Sequence, residues 1–223
     1  MPQEINPIES WLNEIDNKSK AIINLGNQLY AITPKMYEFD FLLIAALNRT
    51  VNLNKAFISL IRDNNFIAAA PLVRINLDTL MRLFASIISE HDRNTFASKI
   101  LSGEVITKMK ARNSTAKLID SYLVKQLSEI EGMEWVNKVY QAGNSFVHFG
   151  DAVIFSSKKI EDEGDQIVNF TIGFHDNFIP DSEKVGATIW KNKIIDSIIV
   201  QAQIWMLEKA KSVGYNIEDL NRL

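Results

Sequence analysis

Apolar residues recur at three- and four-residue steps through most of this chain, the spacing that lines one face of an α-helix. Trp11, Ile15, Ile22, Leu25 and Leu29 follow it after Asn6-Pro7, where Asn can cap and Pro suits the first helical position. Thr33-Pro34 ends that segment and can open a second, running to about Arg62. Its Phe39, Leu42, Leu43, Ala46, Leu47 and the stretch Leu53 to Ile61 are apolar enough for a central helix. Asp63-Asn64-Asn65 breaks the pattern. A third helix is predicted from Phe66 to Ser89, with Pro71 imposing a kink or a start close to it. Asp92 reads as the cap of a short helix ending near Ser102-Gly103. Further helical pieces are predicted at about 104–111, 116–130 and 135–149, and a long final one over 183–213 with Asp181 or Ser182 as cap and Gly214 as stop.

Before that final helix the period changes. Val153-Ile154-Phe155 and the run from Ile167 to Phe174 are β-branched and partly alternating, as strands are. The polar stretch 158–165 between them suits an exposed hairpin loop. The pattern therefore predicts an all-α helical bundle with a small β-hairpin insertion, at 151–180, ahead of the last long helix. Residues 1–223 read as one domain, with no internal repeat, low-complexity tract or linker.

Composition narrows the function classes. A chain of 223 residues buries a core without staples, and the absence of cysteine removes disulfides and thiolate metal sites. The net charge of −3 gives no global field for a polyanion, so nucleic-acid binding would need a local patch. Lys108, Lys110, Arg112 and Lys117 form the best such candidate, against the plainer reading of a solvated helix end and loop. No basic region followed by an apolar stretch opens the chain, and runs such as Phe41 to Leu47 are too short to span a bilayer. A cytoplasmic protein with no membrane contact is the expectation.

The candidate chemistry gathers at Tyr140-Gln141-Ala142-Gly143-Asn144-Ser145-Phe146-Val147-His148-Phe149-Gly150. On a helix Asn144 and Ser145 lie four and three residues before His148, so their side chains can meet it while Val139, Phe146 and Val147 face a core. An imidazole among hydrogen-bonding neighbours is the raw material of proton transfer. Elsewhere, Arg74, Asp78 and Arg82 are spaced by four and share one helix face. Either arginine suits a phosphate, or Asp78 pairs with both and leaves nothing free. His91-Asp92 and His175-Asp176 carry the dipeptide of HD-type phosphohydrolases, but at a turn and a strand end rather than on helices, so no metal is expected. No Gly-rich phosphate loop, dinucleotide fingerprint or nucleophile elbow is present, so no cofactor is implied. Trp11, Trp135, Trp190 and Trp205 sit in apolar helical patterns and read as packing residues.

Two segments together carry a family resemblance. One is Ala70-Pro71-Leu72-Val73-Arg74-Ile75-Asn76-Leu77-Asp78-Thr79-Leu80-Met81-Arg82-Leu83-Phe84. The other is Trp135 to Tyr140 with Ser145 to Phe149, followed by a hairpin and a Trp-bearing helix. Over roughly Phe66 to Lys211 this order resembles an uncharacterised prokaryotic group related to HEPN (higher eukaryote and prokaryote nucleotide-binding) domains. The resemblance implies an all-α bundle, commonly homodimeric. It also implies an effector of a prokaryotic antiviral defence or toxin–antitoxin system, with RNA or a partner protein such as an antitoxin as its target. Many HEPN domains are metal-independent endoribonucleases whose motif is an arginine, four to six residues, then histidine. His148 matches the histidine, and Asn144 loosely echoes the polar residue after the arginine. The arginine's place is taken by Gln141, Ala142 and Gly143, which removes the group that would hold the scissile phosphate. The resemblance then leaves two expectations. In one, His148 moves the proton, Arg74 or Arg82 supplies the cation, and Tyr140, Asn144 and Ser145 orient the phosphate. In the other, the chain is a non-catalytic HEPN-like module binding a partner protein or small ligand, with Arg74, Asp78, Arg82 and His148 in a closed network.

Overall fold

Five long helices and three shorter ones make up the computed structural model, which describes residues 7–162, 167–173, 175–176 and 178–215. In order they are α1 (Pro7–Ile32), α2 (Glu38–Arg62), α3 (Phe66–Ile88), α4 (Arg93–Leu101), α5 (Asp120–Ser128), α6 (Trp135–Val147), α7 (Asp151–Ser156) and α8 (Asp181–Ser212). A two-stranded antiparallel hairpin, β1 (Lys158–Asp162) and β2 (Ile167–Phe170), precedes α8. The architecture is the all-α bundle with one hairpin that the periodicity predicts.

The bundle forms because each long helix carries an apolar stripe. On α1 the buried residues are Leu12, Ile15, Ile22, Leu25, Leu29 and Ile32, centred one position beyond Trp11, which sits at the edge of the stripe. α3 is apolar almost all round and is the central helix, touching α2, α4, α5, α6 and α8. α8 closes the far side against α1 and α3 through Ile194, Ile195, Ile198, Ala202 and Met206.

The start of α3 is tied down from a distance. Asp176 accepts hydrogen bonds from the Phe66 and Ile67 amides, and Asn65 accepts from Ala68 N at 3.2 Å. With Asn65 N bonded to Leu60 O at 2.8 Å, all four amides that lack a partner within the helix are satisfied. His175 Nδ1 meets Asp63 O at 2.9 Å and Asp176 N donates to Asn64 O at 2.9 Å, so the chain leaving the hairpin is docked on the α2–α3 turn. The His175-Asp176 dipeptide is thus spent on a helix cap.

Local readings differ in several places. Val153-Ile154-Phe155 is not a strand but the body of α7. Ser145 Oγ accepts the Ala152 amide at 3.0 Å and Asp151 stands in the first turn, and these end effects outweigh a three-residue β preference. The hairpin accordingly spans 158–170, and the chain closes its mouth with Thr171 N donating to Ser157 O at 2.9 Å. Phe174, Asn6 and positions 163–166, for which strand, cap and loop roles are predicted, lie outside the described residues. In place of a helix over 104–111 there is one 3-10 turn, Ile106–Lys108, then an extended stretch in which Met109 and Ala111 are buried and Lys110 and Arg112 exposed. That alternation has period two, and it pairs Ser89 with Ala111 and Lys110 with Lys117. α2 opens at Glu38 rather than near Pro34, and α3 opens at Phe66, leaving Pro71 inside it.

Candidate functional site

Arg74, Asp78 and Arg82 project from α3 toward α5 and α6, and the structure pairs both arginines. Asp120, the first residue of α5, lies between them. Its Oδ1 is 2.6 Å from Arg82 Nη2 and its Oδ2 3.5 Å from Arg74 Nη2. Arg82 Nη2 also reaches Asp78 Oδ1 at 3.1 Å, within the i,i+4 step the spacing predicts. The four charges sum to zero. Arg82 Nη1 is buried without a hydrogen-bond partner among the described residues.

Arg74 is further held by α6. Its guanidinium lies over the Tyr140 ring, 4.2 Å from the centroid, and its Nε donates to Asn144 Oδ1 at 3.1 Å. Gly143 makes this approach feasible: a Cβ there would sit 2.6 Å from Arg74 Cβ. Tyr140, Gly143 and Asn144 occupy one face of α6 at helical steps of three and one, and the arginine lies across that face, nine-tenths buried. A stacked, hydrogen-bonded and ion-paired guanidinium is a packing element with little left to offer a ligand.

Ser145 turns the other way. Its hydroxyl donates to Asp151 Oδ1 at 2.6 Å while accepting from Ala152 N, which joins the end of α6 to α7. The Ser145 hydroxyl and the backbone amides at the helix start hold the Asp151 carboxyl below its ordinary range. Gly150 lets the turn pass: a Cβ there would meet Ser145 Oγ at 2.5 Å. His148 is the C-cap of α6, its amide bonded to Asn144 O at 2.9 Å. Its side chain is exposed and hydrogen-bonds neither Asn144 nor Ser145 nor either arginine. Phe149 beside it is exposed and has a left-handed backbone, φ 56°.

The predicted residues thus fall into three groups. Arg74, Asp78, Arg82, Tyr140 and Asn144 come together around Asp120; Ser145 belongs to the α6–α7 turn; His148 is exposed and joins neither group. Asp120, Gly143 and Asp151 escape a reading of the sequence. An acid in the first turn of a helix marks Asp120 and Asp151 as terminal residues, but nothing local names their partners.

The basic candidates Lys108, Lys110, Arg112 and Lys117 lie along the extended stretch between α4 and α5 and are exposed. Arg112 donates to Ser89 O at 3.3 Å and Ile87 O at 3.4 Å, capping the end of α3. Lys110 and Lys117 face each other across the bridge. No described helix is long and apolar enough to cross a membrane. Compared with family models, with curated proteins and with solved structures, the chain matches none.

Proposed function

We propose that this protein is a non-catalytic helical module of HEPN type that binds a partner protein or a small ligand. The observation that carries the reading is the occupation of both guanidiniums. Asp78 and Asp120 hold Arg82 through Nη2 while its Nη1 is buried, and Asp120, Asn144 and Tyr140 hold Arg74, so neither presents an open face to a scissile phosphate. Freeing Arg82 would leave the partly buried Asp78 carboxylate without its ion-pair partner, which is unfavourable, and freeing Arg74 would break its contacts with Asn144 and Tyr140. Among the described residues no group hydrogen-bonds the His148 ring to orient it, the second requirement of a general acid or base. The homodimer and the role in defence or toxin–antitoxin systems join the proposal through resemblance alone, and the cytoplasmic setting through the sequence pattern.

The second reading, a metal-independent endoribonuclease, has two observations in its favour. Arg74 is bonded to Asn144, one turn before His148, so a cation does lie along the histidine's helix. Lys110 and Lys117 stand opposite each other with no ion pair among the described residues, an arrangement unfavourable by itself and suited to a polyanion. Incubation of the purified chain with single-stranded and structured RNA decides between the two. The binding-module reading expects no cleavage above background. Cleavage that falls by about 10²–10⁴ in His148→Ala, the usual cost of removing a general acid or base, would overturn it.

A further inference from the structure

On the face of α6 away from Arg74, a groove of about 520 Å3 opens between α6, α7 and the start of α8. Phe66, Phe146, Phe155 and Phe178 form its walls, with Phe66 and Phe146 edge to face at 5.6 Å. A smaller cavity of about 70 Å3, sharing Ala142 and Phe146 with it, reaches Trp190 on α8. The groove's volume is that of a small-molecule site, and four aromatic rings stand among its lining residues.

Its charge is one-sided. Asp151 and Glu183 line the groove, and no lysine, arginine or histidine does so among the described residues. Asp151 receives both its hydrogen bonds on Oδ1, and the hydroxyl and amides that make them keep it ionised. Glu183 is exposed and forms no ion pair with a described residue. Neighbouring Lys184 does not neutralise it, since its ammonium is directed to Asn64 at 2.5 Å and Asp181 at 3.3 Å. A cation already uses the edge of this surface: Lys158 Nζ lies 4.5 Å from the Phe155 ring centroid. Ring faces are electron-rich, so aromatic walls and two carboxylates without counter-ions select the same kind of guest. They repel a phosphate.

We propose that this groove binds a small organic cation, an ammonium carried on an aromatic or branched alkyl body. The apolar body fills the groove beside Phe146, Phe155 and Phe178 while the charge sits near Asp151 and Glu183. The inference deepens the binding-module reading and rests on it, yet the two fail separately: RNA cleavage lost in His148→Ala removes that reading and leaves cation binding measurable on its own.

The test is calorimetric titration of the full chain with benzyltrimethylammonium, beside benzyl alcohol and benzenesulfonate as neutral and anionic comparators. The expected result is saturable binding of the cation, clearly weaker binding of the alcohol, and none of the sulfonate. Glu183→Gln weakens the cation by about two- to fivefold, as removal of one exposed charge partner does, and Asp151→Asn with it weakens binding further. Ala142→Trp fills the groove from an exposed helical position and abolishes binding, with the helical circular dichroism of the wild type retained. Absence of saturable binding, equal affinity for benzenesulfonate, or unchanged affinity in both Glu183→Gln and Ala142→Trp would each overturn the proposal.

Discussion

Two lysines of α8, Lys191 and Lys209, show how differently one residue type can be buried. They are eighteen positions apart, five helical turns, so they lie on the same face, and both are almost completely inaccessible. Lys209 donates to Asp40 Oδ2 at 2.8 Å and to Leu29 O at 3.2 Å, while Trp205 Nε1 occupies Asp40 Oδ1 at 2.7 Å. Lys191 has no hydrogen-bond partner among the described residues, only the Phe57 ring with its centroid 5.9 Å away. Burial without a counter-charge drives the Lys191 amine well below its ordinary 10.5. The unfolded chain keeps the ordinary value, so between the two values it binds one more proton than the folded chain, and stability rises with pH. Lys191→Met therefore raises the melting temperature by several degrees at neutral pH, and the gain shrinks as the pH rises towards and past 10.5, above which the lysine is neutral in both states. Melting curves across that range check both the sign and the trend; a gain that grows with pH would contradict the argument.

At the scale of elements, the long periodic helices were legible because their stripes are longer than any local ambiguity. α1, α2, α3 and α8 all lie close to where the spacing of apolar residues places them. α7 was illegible for the opposite reason: its six residues include Val153, Ile154 and Phe155, and the Ser145 hydroxyl that starts it belongs to another helix. The same holds for the N-terminus of α3, capped by Asp176 across 110 positions. Local rules find Asn65 there and stop. Asp176→Ala removes an acceptor from two amides and is expected to cost about 1–2 kcal/mol, the usual range for losing an N-cap. Chemical denaturation measures the loss, and faster hydrogen exchange at Phe66 and Ile67 locates it. The candidate site was half legible on the same logic. Steps of four place Arg74, Asp78 and Arg82 on one face, and Tyr140 with Asn144 on another, but no pattern reveals that Asp120 stands between the arginines or that Gly143 lets the two faces meet.

For the molecule as a whole, the two sides of α6 carry opposite chemistry. One side holds the arginines in a neutral set, and the other opens on rings and carboxylates. The excursion after α7 touches this second side at its root, where Lys158 lies over Phe155. Among the described residues β1 and β2 pair only with each other, and Phe170 at the end of β2 and Ile172 just beyond it are largely or fully exposed. Because Thr171 N bonds to Ser157 O, the chain departs from the bundle and returns to it at one point. The excursion is thereby a removable cassette: splicing Ser157 to Thr171 through two glycines is expected to leave the melting temperature of the helices within a few degrees of the parent. The same junction is a place where a foreign peptide could be grafted without disturbing the helices on either side.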